Sequence, residues 1–291
     1  MSTAIEIIIN ALTLGCTYAL VGVGFVVIFR ATKVISFAQG VFMMIGALLF
    51  AGFARADWPT WLGMLVAIVA MAALSALTYQ VVFGRLAGLE PFVVAIGTVG
   101  LGTLFEAIGL MIWGPSTISM PQLFSIKLYH VYGSAGLNAV SILTLAVTAA
   151  AFALVGAGLY FTPTGLRMRA VANDTPLAAY HGLAVNRLSV GAWAIGGGTA
   201  ALAGVIFLLG TQPDPATIDS LGLLAFPAIL LGGFDSIIGC LVGGILIALV
   251  QTITVQYVGG NYQDVVGYVV LLLLLTVRPQ GIFGRVDARR L

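Results

Sequence analysis

Apolar runs follow one another along almost the whole chain, with little polar sequence between them: Ile5–Ile28, Val34–Phe53, Trp58–Val82, Phe92–Trp113, Ala139–Phe161, Leu188–Leu209, Leu223–Leu231, Gly239–Val258 and Val265–Val277. A helix needs about 20 mostly apolar residues to cross the hydrocarbon layer, and most of these runs are long enough. In lipid only helices and closed barrels satisfy their own backbone, and runs this long read as helices. Composition agrees. Only 8% of the 291 residues are charged and 60% are hydrophobic, against roughly 25% charged in an ordinary soluble domain. Such a chain cannot clothe a water-facing surface. A cytosolic enzyme, a secreted disulfide scaffold and a nucleic-acid binder are excluded. The fold class expected is all-α, a polytopic helical membrane protein with about eight or nine hydrophobic segments. Leu223–Leu231 is too short to span unless the residues before it extend the helix. Gly232, Gly233, Phe234, Asp235 and Ser236 follow it as a helix-breaking stretch.

Charge placement sets a topology. The chain carries 12 basic and 10 acidic residues, a net charge of +2. Arg278, Arg285, Arg289 and Arg290 put the C-terminus in the cytoplasm, and Arg167, Arg169 and Arg187 put the 162–187 loop there. Alternation adds Arg30, Lys33 and Arg85 to that side and leaves Arg55 and Lys127 outside. Leu223–Val258 then starts and ends outside, as two crossings or as a re-entrant hairpin. Met1 to Glu6 holds no basic residue, so Ile5 onward reads as a retained first span and not as a signal peptide. No loop is large enough to fold alone. Residues 1–291 are therefore read as a single transmembrane domain with one long cytoplasmic loop, 162–187.

Catalytic and cofactor signatures are missing. Cys16 and Cys240 are distant and lie in apolar runs, which marks them as packing residues. The chain has no GxxxxGK[ST], no HExxH and no GxSxG. His130 and His181 fall on opposite sides of the membrane and cannot share a metal. An enzyme is not expected, nor a cofactor.

Polar groups in apolar surroundings carry more information. In the 162–187 loop, Thr164 is placed to cap a helix running to about Ala172. Asp174 is placed to cap a second, with Pro176 in its first turn and Gly182 past its end. That second helix would carry Leu177, Ala178 and Tyr180 on a short exposed rod. It reads equally as a docking surface or as a helix lying on the bilayer. Glu106 falls inside a span, where a charge costs about 2.5–3.5 kcal/mol and calls for a partner or a cavity. A hydrogen bond to a neighbouring helix is favoured for it over a place in a pathway. Ser36, Gln39 and Gly40 suggest a broken helix lining a cavity, and so do Gly232 to Gly239. Asp235 is read as the cap of the helix that follows. Gln251 and Gln256 read as interhelical hydrogen-bonding groups, and Gly239 with Gly243 as an intrachain packing pair.

Four stretches in order also resemble a known family. Arg169-Ala-Val-Ala-Asn-Asp through Gly182, with Arg187 and Gly196–Gly204, is similar to the cytoplasmic signature of bacterial ABC importer permeases of the branched-chain amino acid (Liv-type) branch. Phe29 to Gly40 resembles the family segment ending in Asn-Phe-Ala-His/Gln-Gly. Leu231 to Gly239, with Gly243 and Gly244, resembles its Gly-Gly-x-Gly-Ser-x-x-Gly signature. Arg278 to Gly284 resembles its C-terminal Arg-Pro-Gln-Gly motif. The chain departs from the pattern at Ser36, Val41 and Asp235. The resemblance implies a permease subunit of the bacterial inner membrane. It would be paired with a second permease, related or identical. Two P-loop ATPase subunits would sit below, and an extracytoplasmic solute-binding protein would feed it. Asp174, Pro176, Leu177, Ala178, Tyr180 and Gly182 would then form the coupling helix, and Ser36, Gln39, Gly40, Glu106, Gly232, Gly233 and Asp235 are pathway candidates. An ion-coupled secondary transporter is the competing reading. It would need its own coupling site, such as paired intramembrane carboxylates.

Overall fold

A computed structural model describes residues 2–86, 89–117, 129–132, 135–278 and 281–284. Lys127, Pro279, Gln280, Arg285, Arg289 and Arg290, which enter the expectations above, lie outside them. The described helices are α1 (Ser2–Thr32), α2 (Gln39–Arg55), α3 (Thr60–Thr78), α4 (Pro91–Trp113), α5 (Ala139–Phe161), α6 (Pro163–Asn173), α7 (Thr175–Tyr180), α8 (Val185–Thr211), α9 (Pro215–Gly232), α10 (Ile237–Tyr257) and α11 (Gln263–Val277). A π-helical turn, Tyr79–Phe83, prolongs α3, and a 3₁₀ turn, Gly260–Tyr262, leads into α11. A small antiparallel hairpin, β1 (Tyr129–Tyr132) and β2 (Ala135–Leu137), lies between α4 and α5. Among the described residues, eight helices are long and apolar enough to cross a membrane, and α2, with 17 residues, is shorter.

Local sequence explains the boundaries. Asn138 caps α5 by accepting from Ser141 N–H, and α5 ends at Phe161, as its apolar run does. The short run Leu223–Leu231 is extended at its start. Asp214 accepts from Thr217 N–H and Pro215 takes the first turn, so α9 begins eight residues before the apolar run. Its 18 residues suffice to cross, which favours two crossings over a re-entrant hairpin. The cap of α10 is Ser236, accepting from Gly239 N–H, and not Asp235. A hydroxyl at that position reaches the third amide of the helix, one residue later than expected.

Helices α1, α2, α8, α9 and α10 form the core, while α3, α4, α5 and α11 keep broad apolar faces exposed. Glycine permits the close crossings. A Cβ on Gly222 would overlap the backbone of Gly40, and one on Gly204 would overlap Met43. Gly239 meets Gly232 across the α9–α10 turn and Gly243 meets Ala228, so this pair packs within the chain as read. Gln251 accepts from the Tyr18 hydroxyl at 2.8 Å, tying α10 to α1 as expected, whereas Gln256 is exposed. Cys16 and Cys240 are buried free thiols.

The two ends of the bundle differ. Arg30 and Lys33 close α1. Arg85 follows the π turn, whose Phe83 stacks on Trp193 near the start of α8. Arg169 shares a cavity with Arg30, and the segment reached from Arg278 bonds the α9–α10 turn through Ile282 and Phe283. Arg55 lies at the opposite end, beyond Gly52, which faces Trp113.

Candidate functional site

The first candidate surface is the loop at the basic end. Thr162, not Thr164, caps α6, accepting from Gly165 N–H, with Pro163 in the first helical turn. Proline there has no amide to lose, which moves the helix start two residues earlier than expected. Asp174 caps α7, accepting from Leu177 N–H at 3.0 Å, and Pro176 lies in its first turn. Gly182 adopts φ +77°, the left-handed conformation that ends a helix, and the Gly182 amide donates to Ala179. The six-residue helix so fixed points its side chains two ways. Leu177 is 54% exposed and Tyr180 is 90% exposed, but Ala178 is 5% exposed. Ala178 therefore faces the protein as packing, a correction to the fully exposed rod. Leu177 and Tyr180 form an apolar and aromatic knob.

The second candidate region is the break before α2. Lys33 takes φ 57° and turns the chain back on itself, and residues 34–38 run back into the bundle without helical structure. Buried backbone there must find partners. Phe37 N–H donates to Thr98 Oγ1 at 3.0 Å. Helix α2 then starts in the interior with no side-chain cap. Ser36 is 1% and Gln39 0% exposed, and Ser36 Oγ and both amide atoms of Gln39 have no hydrogen-bond partner. Gln39 Nε2 lies against Gly24 and Gly196, two glycines that leave room for the amide. Gly40 crosses α9 at Asp219, whose Oδ1 would sit 2.6 Å from a Cβ on Gly40 and also has no partner.

Glu106 is half-buried on α4, which packs on α2 through Gly102 and through Phe105, whose ring centroid lies 6.3 Å from that of Phe42. It makes no hydrogen bond to another described residue. The bond favoured for it from sequence is not formed among the described residues. Sequence reasoning missed Asp219. The Asp214-Pro215 pair that starts α9 was the available signal, since a cap followed by proline at once makes residues 215–222 helical. Below these acids α9 carries Phe226. Its ring centroid lies 5.3 Å from that of Phe37 and 5.9 Å from that of Phe234, and Phe234 lies 4.9 Å from Phe29. Along α9 the side chains thus grade from Asp219 near its start to a cluster of tilted aromatic rings at its end.

Gly232, Gly233 and Asp235 occupy the α9–α10 turn. Gly233 adopts φ +97°, and Gly281, at φ +80°, packs against it. An Arg30 guanidinium N–H donates to the Asp235 carbonyl. The structure therefore places these residues at the basic end, apart from Ser36, Gln39, Gly40 and Glu106. Among the described residues no group of acids, histidines and cysteines is arranged to hold a metal.

Residues 7–275 match the family described as the permease component of the branched-chain amino acid transport system. The chain belongs to that family. The permease is 28% identical over 97% of its length to the high-affinity branched-chain amino acid transport system permease protein LivH of Salmonella typhimurium, covering 96% of that protein. It is 27% identical to LivH of Escherichia coli with the same coverage, and 28% identical to the permease protein BraD of Pseudomonas aeruginosa, again over 97% of this chain and 96% of that one. Its fold is similar to a chain of PsaBC from Streptococcus pneumoniae in complex with Fab, with a TM-score of 0.54, 14% identity, and 94% of this chain and 92% of that one covered. The permease is a multi-pass membrane protein and the permease component of an ABC transport system. It is not itself an enzyme.

Proposed function

We propose that the permease acts in a bacterial inner membrane as one of two membrane subunits of an importer driven by two P-loop ATPase subunits. An extracytoplasmic binding protein would deliver branched-chain amino acids or related small polar or amphipathic solutes to it. The whole chain works as a single transmembrane domain. The observation that carries this reading is α7, a capped six-residue helix at the basic end that holds Leu177 and Tyr180 in the open. A separate motor needs such a rigid lever. Asp174, Pro176 and Gly182 fix its ends, Ala178 seats it, and Leu177 and Tyr180 make the contact.

The pathway follows the face of α9, past Glu106, Asp219, Ser36, Gln39 and Gly40, then the aromatic rings, to the turn at Gly232, Gly233 and Asp235. Two carboxylates suit the ammonium of an amino acid, and the rings suit its apolar side chain. The same pair is what an ion-coupled secondary transporter would require. Membership of an ABC transport family favours the ATP-driven reading. Extraction from the native membrane in mild detergent separates the two. Two ATPase subunits and a second permease are expected in the mass spectrum of the purified complex. A chain that purifies alone and moves solute in liposomes without ATP would establish the ion-coupled alternative instead.

Orientation follows from the basic end, which the positive-inside rule puts in the cytoplasm together with the C-terminus. Replacing Ser2 with cysteine should therefore allow labelling by an impermeant thiol reagent from outside. The native thiols are buried and add no background. Labelling only after the membrane is opened would reverse the topology.

A further inference from the structure

A cavity of about 1290 Å³ opens at the basic end between α1, α5, α6 and the start of α10. Its charge is one-sided. Arg30, Lys33 and Arg169 line it, with Asp235 as the single carboxylate among the lining residues. Arg30 is engaged by the Asp235 carbonyl. Arg169 stacks over the Tyr160 ring at 5.2 Å and donates a long bond of 3.4 Å to the Tyr160 carbonyl, yet its buried Nε has no partner. A guanidinium N–H buried without an acceptor is a costly state, and an anion at the mouth would relieve it.

The rest of the lining is largely apolar. Phe152, Gly156 and Leu159 of α5 form one wall, and Ile237 and Ile238 of α10 the other. Phe152 lies nine residues before the end of α5, so the slot runs about 13 Å along the helix, away from the cationic mouth. Cations at an interfacial mouth with an apolar slot beneath match one molecule in both halves, an anionic glycerophospholipid. The phosphate faces the guanidinium and ammonium groups while an acyl chain follows α5. The chain's own C-terminal residues 285–291 are a poor occupant, since Arg285, Arg289 and Arg290 against Asp287 give them the sign of the cavity. We propose that this cavity is a binding site for an anionic phospholipid, held by Arg169 and Lys33 against the wall formed by α6. The site is independent of what the permease carries.

The test uses the full chain with whatever subunits it purifies with, in nanodiscs of phosphatidylcholine with or without phosphatidylglycerol, followed by native mass spectrometry and thermal unfolding. The wild type should retain one phosphatidylglycerol per permease and melt higher when it is present. Lys33→Ala with Arg169→Ala should weaken retention about thirtyfold, the worth of two cations at a membrane surface, and abolish the melting shift. Arg30 is left alone because it braces the α9–α10 turn. Should the double variant not fold, Ile238→Trp fills the acyl slot from an exposed position and should displace the lipid alone. Three results would overturn the proposal: equal retention of phosphatidylcholine, retention unchanged in both variants, or the same protection from inorganic phosphate without lipid.

Discussion

Leu177→Asp combined with Tyr180→Ala should leave a folded, inserted permease that no longer holds its ATPase subunits. Both side chains are exposed, so removing them creates no cavity and strands no buried group. The loss therefore falls on the interface alone. An aromatic anchor at the centre of a contact is commonly worth about 2 kcal/mol, and a carboxylate set into an apolar groove adds to that. Docking should weaken by roughly thirtyfold or more, and ATP-dependent uptake should disappear with it. Co-purification and uptake in proteoliposomes measure the two effects separately. Undiminished recovery of the ATPases with the double variant would remove α7 from the coupling role. Ala178→Asp is the poorer test, because Ala178 is packed and its replacement would disturb α7 itself.

Asp219→Asn with Glu106→Gln should separate transport from hydrolysis. Both replacements keep shape and remove charge. Neither residue shares a hydrogen bond with another described side chain, so the bundle should assemble. A hydrogen bond to a charged group contributes about 1.5–3 kcal/mol, so a passing ammonium that loses its carboxylates should cross roughly ten- to a hundredfold more slowly. ATP hydrolysis stimulated by the loaded binding protein should stay within about twofold, since under the proposed coupling that signal would enter from outside and leave through α7. The ratio of solute moved to ATP consumed is the quantity to measure. A ratio equal to the wild type would make the two acids structural. Uptake that stops needing ATP and follows a proton or sodium gradient would make them a coupling site.

Much of this was legible in the sequence. Hydrophobic run length located the spans because lipid-facing helices are apolar around their whole circumference, and α5 was read residue for residue. The caps at Asp174 and Gly182 were readable because capping is local chemistry. The failures have separate physical causes. Hydropathy treats Asp214 to Ser220 as a loop, but a cap and a proline make it the first two turns of α9, and Asp219 came with them. The facing of Ala178 was invisible because one turn of helix gives no periodicity to read. The place of Asp219 beside Gly40 depends on the crossing of α2 and α9 at Gly40 and Gly222, a long-range contact that spacing along the chain does not encode.

Burial of α1 has a consequence for how the protein is made. The helix is enclosed mainly by α8, α9 and α10. About two hundred residues separate Thr32 from Ile237, so at bacterial synthesis rates of up to about 20 residues per second the first span waits roughly ten seconds or more for its neighbours. During that interval Tyr18 lacks Gln251, and the small-residue face of α1 touches lipid. The turn between α9 and α10 is fastened later still, when Ile282 and Phe283 bond Leu231 and Gly232. Span α1 is made long before the helices that enclose it, and a stalled or shortened chain would leave uncovered the face that Gly15 and Gly22 present to α9 and α10.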